Sequence, residues 1–404
     1  MQQLRVKRFE SWDDIRRVSP AWDELLADSA SRTIFLTWEW LTAWWNAYGS
    51  SRELFLLGCL ESDGSLVGVA PLYRMRCRAW PGLWLRVLRL VGDGTYDSDN
   101  LDLVIRRGNE GSVVEAFLDW LLGHRAEWDV LELNAIPSES RVFPLLVEKH
   151  SQHRWPCQRR ETPHAVLPLP SDWQSYLASL SGNMRSSISR GMRRLERTHA
   201  MRLRRCDKAQ DLPEFLDLLF AMHTARWQAR GQEGAFSGTR RKKFYSEVTE
   251  KCLAQGWLAF WLLEVDGRAA ALELGFQYSN AYYFLQGGFD TGLSSLGVGI
   301  VLKAKILQAL VQEGVRCYDF LGGGEDYKLR WGAELRSYHN LRCALPGSKG
   351  ALYLKMEASL GRTKEWVRAR IPATTWELLR KTYRRFKPYG SSLSMDRAPS
   401  SDEK

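Results

Sequence analysis

One order of secondary structure can be read twice along this chain, and that repetition constrains the fold more than any single motif does. In the first half, Leu54–Glu61 and Leu66–Tyr73 are β-rich runs joined by Ser62-Asp63-Gly64-Ser65, a hairpin signal. In the second half, Trp257–Val265 and Arg268–Phe276 are joined by Asp266-Gly267, the same signal. A third strand follows each hairpin, Leu83–Val91 and Ala281–Gly287. Then come a helix with an apolar stripe, Val113–Leu122 or Val301–Leu310, and a closing strand, Asp129–Leu133 or Arg316–Phe320. Helices precede both hairpins: Trp38–Tyr48 before the first, Leu212–Arg230 and Arg240–Gln255 before the second. The first half carries an additional strand at Asn100–Ile105. The pattern predicts two α/β (α+β) halves, each a mixed, mostly antiparallel sheet flanked by helices, although two unrelated α+β domains would give the same string.

A length of 404 residues also favours two packed domains. The expected division is 1–160 for the first half and 161–345 for the second, then a basic helical extension over 346–390 and a disordered tail over 391–404. Inside the second half, Ser171–Leu180 and Ser181–Arg197 read as helices. Ser181 is a natural N-cap, and Met184, Ile188, Met192 and Leu195 make a narrow apolar stripe, which leaves the arginines on the other faces.

A hydrophobic fraction of 45% and an aromatic fraction of 12% argue against disorder. No apolar run approaches the roughly 18–20 residues that a spanning helix needs. The first residues, Met1 to Arg8, have no apolar stretch behind their charges, so no secretory signal is expected there. The expected location is the cytoplasm, with peripheral contact at the inner membrane as an option. Seven cysteines are scattered without a Cys-x-x-Cys pair, which suits reduced, buried thiols and predicts no metal. The net charge of +10 asks for an anionic partner. Much of it lies in Arg185, Arg190, Arg193, Arg194, Arg197, Arg202, Arg204 and Arg205, and in Arg368, Arg370, Arg380, Lys381, Arg384, Arg385 and Lys387. Nucleic acid, anionic lipid and anionic substrate would each suit such surfaces, as would a plain solvated helix face.

Three constellations carry possible chemistry. Ser294-Ser295-Leu296-Gly297-Val298-Gly299 lies between a strand and a long helix. Its glycines allow a tight turn, and the helix N-terminus behind it favours an anion, with Lys303 and Lys305 one turn on as sources of charge. The equivalent turn of the first half, Arg106 to Gly111, contains Glu110, which would repel a phosphate, so only the second half should hold a phosphate-bearing cofactor. His223, Arg226 and Trp227 share a helical face before a glycine-containing loop, Gly231 to Phe236. They could form an acceptor pocket with a histidine base, or the histidine could merely pack. Glu273, between Leu272 and Leu274, is either a base facing a cleft or a solvent-facing carboxylate. Finally Asp319-Phe320-Leu321-Gly322-Gly323-Gly324-Glu325-Asp326-Tyr327-Lys328, with Trp331 beyond, starts at a strand end. Asp319 or Glu325 could orient a nucleophile, Tyr327 could protonate a leaving group, and Lys328 could pair with a carboxylate or bind an anion. The alternative is a glycine loop capping a helix at Asp326.

From about Ile34 to Cys343 these residues resemble a GNAT-like acetyltransferase family that includes the cellulose-biosynthesis protein CelD, itself related to the Fem peptidyltransferases. The markers are Phe35-Leu36-Thr37-Trp38-Glu39-Trp40 with Trp44-Trp45, then His223, Arg226 and Trp227, then Gln286-Gly287-Gly288-Phe289-Asp290. The most specific is Asp319-Phe320-Leu321-x-Gly323-x-Glu325-x-Tyr327-Lys328-x-x-Trp331. One departure is Ser295-Leu296-Gly297, where the family usually has Ser-Pro-Gly. The resemblance implies two tandem GNAT-like halves and acyl transfer from an acyl-CoA, acetyl-CoA first, to an amine or hydroxyl. It implies Ser294, Ser295, Gly297, Val298, Gly299 and Lys303 at the CoA phosphates, His223 or Glu273 as base, Tyr327 as acid, and Arg226, Trp227 and Trp331 at the substrate. The implied acceptor is a small molecule or glycan precursor of bacterial exopolysaccharide or cell-envelope synthesis, with an anionic membrane or a polysaccharide synthase as further partners. The alternatives are a Fem-like transfer from aminoacyl-tRNA, with the arginine cluster holding RNA, and a silent scaffold of a polysaccharide synthase.

Overall fold

Two-residue turns set the strand pairing of the second half. Asp266 (φ 51) with Gly267 (φ 76), and Ser279 (φ 50) with Asn280 (φ 64), all adopt left-handed backbone. Two consecutive positive φ values give the turn whose twist matches that of paired strands. A computed structural model of the chain describes residues 4–17, 20–95, 97–228, 234, 236 and 238–368. The expected tail at 391–404, the basic extension from residue 369 on and most of the loop after His223 lie outside the described residues.

The first half runs β1 (Arg5–Phe9), α1 (Trp12–Arg16), α2 (Pro20–Ala27), α3 (Trp38–Tyr48), β2 (Glu53–Leu60), β3 (Leu66–Trp80), β4 (Leu83–Leu90), β5 (Val104–Ile105), α4 (Glu110–Gly123), β6 (Val130–Pro137) and α5 (Val142–Gln152). Next, β7 (Cys157–Pro168) leads to α6 (Trp173–Ser179), α7 (Gly182–Thr198), β8 (Met201–Arg205), α8 (Leu212–Gln228), α9 (Thr239–Ala254), β9 (Leu258–Val265), β10 (Arg268–Tyr278) and β11 (Ala281–Phe289). The chain continues through α10 (Val298–Gln312), β12 (Cys317–Gly322), α11 (Asp326–Arg330), β13 (Glu334–Cys343) and α12 (Lys349–Arg368). Among the described residues all strands join one 13-stranded sheet in the order β1-β2-β3-β4-β6-β13-β7-β12-β11-β10-β9-β8, with β5 on β3.

That order contains an exchange. The last strand of the first half, β7, pairs with β12 of the second half, and β13 of the second half pairs with β6 of the first. The two exchanged strands also pair with each other, from Cys157↔Cys343 to Val166↔Glu334. The repeat is therefore present as expected, but a boundary at 160/161 falls inside β7 and does not separate two sheets. β7 and β13 escape a reading by alternation because their outer stretches lack an apolar face, as in Gln158-Arg159-Arg160-Glu161 and in Glu334-Leu335-Arg336-Ser337, where the one apolar residue, Leu335, is exposed. The expected strand Asn100–Ile105 shrinks to Val104–Ile105, and Asn100 has φ 50, outside the extended region of a regular strand.

Two apolar layers sandwich the sheet in the second half. On one face Ile188 and Leu195 of α7, Val301 and Leu307 of α10 and Tyr176 of α6 bury against Ala259, Tyr282 and Tyr318. On the other, Phe215 and Leu219 of α8 and Phe244 and Val248 of α9 bury against Phe260, Leu272, Leu274 and Phe276. First-half residues enter this second layer: Trp40 of α3 meets Phe276 edge-on at 5.1 Å between ring centroids and Phe244 at 5.4 Å.

Candidate active site

β11 and β12 start as parallel partners, but the pairing lasts only from Ala281–Tyr283 against Cys317–Asp319. β11 then continues to Phe289 and β12 to Gly322 on diverging courses. The separation leaves the β11 edge beyond Tyr283 without that neighbour, so its backbone groups there face a wedge. On its other side β11 stays paired with β10, with a bulge where Leu274↔Gln286 gives way to Gly275↔Phe284.

β11 leads straight into the glycine turn. Asp290 accepts the N–H of Gly292 at 2.9 Å, Thr291–Leu296 form a short 3-10 turn, and Gly297 (φ 71) starts α10. The positive φ explains glycine at 297. At Gly299 neither dihedral nor packing demands it, since an added Cβ would meet no protein atom within 4 Å. Ser294, Ser295 and Gly299 are exposed, and Val298 is buried beneath them. α7 lies alongside, and Arg194 donates to the Ser295 carbonyl at 3.0 Å.

The structure moves Lys303 away from this turn. Its ammonium is buried and donates to Glu273 Oε2 at 2.7 Å and to the Tyr318 hydroxyl. Tyr318 and Tyr282 in turn donate to Glu273 Oε1 at 2.6 and 3.1 Å. Burial lowers the Lys303 pKa although Glu273 pulls it the other way, and the ammonium lies 4.1 Å from the Phe284 ring centroid. Lys305 is committed to Glu196 at 3.2 Å. The cations expected beside the phosphate site are thus replaced there by Arg194 of α7, because residues 303 and 305 of the helix point to the sheet and to α7.

His223 and Glu273, expected as alternative bases, lie on opposite faces of the sheet. Leu272 and Leu274 pack beneath α8 and α9, so Glu273 between them points to α10. His223 is buried on α8 with its ring 4.9 Å from Phe236, and its backbone lies over Gly288 of β11. Gln286, paired with Leu274, shares the α8 face. Arg226 and Trp227 belong to α8, but their side chains lie outside what is described.

Asp319, the last parallel-paired residue of β12, also faces away from α10, since its neighbours Tyr318 and Phe320 pack on the α10 side. Three donors hold its carboxylate: His164 Nε2 at 2.7 Å, the Leu321 N–H at 2.7 Å and Asn100 Nδ2 at 2.9 Å. Burial alone would raise its pKa, yet the His164 ring and these hydrogen bonds together hold it below the ordinary value. Its grip on the Leu321 amide accompanies φ 61 at Leu321 and a register break between Asp319 and Gly322. The His164 ring stacks on Tyr338 at 4.1 Å, and its Nδ1 is buried without a hydrogen-bond partner among the described residues.

Asn100 and Asp99, whose Oδ2 accepts the Gly322 N–H at 2.9 Å, bring first-half residues to this site. Asp97 anchors their loop. Its buried carboxylate takes Arg241 Nη2 at 2.6 Å, the Tyr48 hydroxyl at 2.9 Å and the Tyr245 hydroxyl at 3.2 Å. His164, Asp97, Asp99 and Asn100 were all absent from the sequence-derived candidates. The run Asp97-Ser98-Asp99-Asn100-Leu101-Asp102 was the available signal, being too polar for the strand expected there.

The glycine-rich segment after β12 is a scaffold around Lys328. Its fully buried ammonium donates to the Gly322 carbonyl at 2.7 Å and pairs with Glu325 at 2.9 Å. Glu325 folds over Gly323 (φ 104), where an added Cβ would lie 2.5 Å from Oε2. Tyr327 is half-buried and meets Phe320 edge-on at 6.3 Å, on the α10 side of the wedge. Trp331 is buried in the core, and its carbonyl accepts the Tyr176 hydroxyl at 2.9 Å, so its position is one of packing. Helix α11 does start at Asp326, but its N-cap residue is Glu325, not Asp326.

The first half shows the same splay, since β4 and β6 pair only from Val87–Arg89 against Val130–Glu132. Its last pair is closed by charge: Glu132 takes Arg89 at 2.7 Å and Arg342 at 3.0 Å, all three buried. At its turn Glu110 folds back and accepts the Gly108 N–H at 2.7 Å, so the chain's own carboxylate occupies that donor.

Residues 182–329 match the acetyltransferase (GNAT) domain family. No curated protein matches the chain. Among solved structures, FemX is similar over 83% of this chain and 96% of its own, at 11% identity and a TM-score of 0.59. A conserved protein of unknown function from Bacteroides thetaiotaomicron is similar over 84% of this chain and all of its own, at 13% identity and a TM-score of 0.54. At such identities the likeness concerns the fold. The chain thus carries a GNAT-type acetyltransferase domain in its second half, within a mixed α/β sheet flanked by helices, and the expectation of an acyltransferase enzyme stands on that domain.

Proposed function

We propose that this chain, with a GNAT-type acetyltransferase domain at residues 182–329, moves an acyl group from acyl-CoA to an amine or hydroxyl in the β11–β12 wedge. The observation that carries the reading is continuity: the strand that opens the wedge ends directly in the glycine turn at the head of α10. The helix N-terminus there suits a pyrophosphate, and Arg194 adds charge. A bound acyl-CoA would supply the thioester whose C–S bond breaks as the acceptor's bond to the acyl carbon forms. Backbone N–H groups of β11 beyond Tyr283, where β12 has diverged, would serve the developing oxyanion. The acceptor's proton then needs a base on the α8 face, where the Asp319-held His164 and His223 are the two histidines available.

The resemblance to CelD-like acetyltransferases directs the search for an acceptor to glycan precursors of the bacterial cell envelope. A second reading, aminoacyl-tRNA-dependent transfer, has one specific support beside the FemX-like fold. Arg185, Arg190, Arg193, Arg194 and Arg197 are exposed along α7, which reaches the turn at Arg194, and have no carboxylate partner among the described residues.

Thermal unfolding against CoA, acetyl-CoA, longer acyl-CoAs and deacylated tRNA tests both. A ligand at about a hundred times its Kd adds roughly 2.7 kcal/mol. Stabilisation by an acyl-CoA is expected in the wild type and in Gly299→Ala, and is lost in Gly299→Asp, which puts a carboxylate in open space at the turn. Stabilisation by tRNA alone would replace the first reading with the second.

A further inference from the structure

Far from the wedge, the start of β7 and the end of β13 bring together three groups that acyl transfer does not use. We propose that His150, Cys157 and Cys343 form a binding site for a thiophilic metal ion of the zinc type, which fastens the two exchanged strands and α5 together. The ligand atoms of the three residues all lie within 4.8 Å of one another, and His150 Nδ1 is 3.6 Å from Cys343 Sγ. Zinc bonds of about 2.3 Å to sulfur and 2.0–2.1 Å to nitrogen, at tetrahedral angles, place such atoms roughly 3.5 Å apart.

Backbone geometry makes the arrangement a property of the fold. Cys157 and Cys343 are directly opposite in the β7–β13 ladder. The next pair outward is hydrogen-bonded, Ala344 N–H to the Pro156 carbonyl at 3.1 Å, so the cysteines occupy a non-hydrogen-bonded position, where side chains are closest. His150 comes from the last turn of α5, and the Trp155 N–H bonds its carbonyl at 3.0 Å, which folds the short connection back onto β7. Two ligands thus flank one tight turn, and the third arrives from the other half of the chain.

The groups suit a metal chemically as well. His150 is 2% exposed, and its contact with Cys343 is the one polar contact of its ring among the described residues; Nε2 is buried without a partner. A neutral imidazole keeps a lone pair for a cation. Cys157 is half-buried, which gives an ion a way in and a water a fourth position. The widely separated cysteines concealed this site from any spacing rule and led to the expectation of no metal.

The test uses the full chain, reduced and freed of metal with a chelator, then titrated with Co²⁺ and Zn²⁺. One equivalent of Co²⁺ should produce a thiolate-to-cobalt charge-transfer band that Zn²⁺ abolishes, and Zn²⁺ should raise the Tm. Cys157→Ser, a near-isosteric change at a half-buried position, should fold, lose most of the band and show no Zn²⁺ shift. The proposal is overturned if the wild type shows neither band nor shift, or if Cys157→Ser keeps both. It is equally overturned if the protein isolated without reductant has lost two hydrogens through a Cys157–Cys343 disulfide that leaves no metal affinity after reduction.

Discussion

Single residues show how burial and partners together decide a charge. Asp102 is fully enclosed, and burial raises its pKa to about 6 despite hydrogen bonds from Ser31 at 2.7 Å and Ser140 at 2.6 Å. With the folded pKa above the unfolded one, the native state holds the proton more tightly between about pH 4 and 6. Stability from this group is therefore present at low pH and falls as pH rises through 6. The wild type should lose about 1 kcal/mol between pH 5 and 7 relative to Asp102→Asn, measured by urea unfolding at each pH; parallel pH curves would refute it. Asp319 is the opposite case, a buried carboxylate kept ionised by its donors. His164→Gln and Asp319→Asn should each lower kcat about 10²–10⁴-fold while leaving acyl-CoA affinity unchanged, and His223→Gln should do so only if His223 is the base. An unchanged kcat in His164→Gln would remove that residue from the reaction. Asp319 was legible in the sequence because it starts a dense motif. His164 was not: it is one histidine in a strand, and only the β7–β12 register brings it to Asp319.

At the scale of elements, α10 serves two ends. Its N-terminus faces the turn, and one turn later Lys303 is sealed under the sheet with Glu273. Removing one partner of such a pair leaves a buried charge and costs about 3–5 kcal/mol, whereas removing both is far milder. Chemical denaturation should show Lys303→Met strongly destabilised and Lys303→Met/Glu273→Gln substantially recovered. If the double variant is no better than the single, the pair does not act as a unit. Hairpins and amphipathic helices were readable in advance because two-residue turns and apolar stripes are local features; α3 and the Ser181 N-cap of α7 fall where expected. The location of Lys303 was not readable, since sequence shows that a lysine is on a helix but not which of its neighbours is a carboxylate. The same holds for β7 and β13, whose pairing joins the end of the first half to the end of the second.

For the whole molecule, strand exchange makes the halves interdependent. Fragments 1–170 and 171–404, cut between β7 and α6, each lack the strand that borders their outermost parallel pair. Neither is expected to be a folded monomer alone, and the two should co-purify one-to-one when co-expressed. A cooperative unfolding transition from either fragment by itself would contradict that. The exchange also ties the two turns together. In the first half Glu110 fills the turn that matches Ser294–Gly299, and Arg89, Glu132 and Arg342 close the strand splay, so the site proposed in the second half has no open counterpart there. The first half nevertheless supplies β7 to the sheet of the second and Asn100 to the Asp319 carboxylate. A substitution that loosens the first half therefore reaches the wedge without touching a residue of the second.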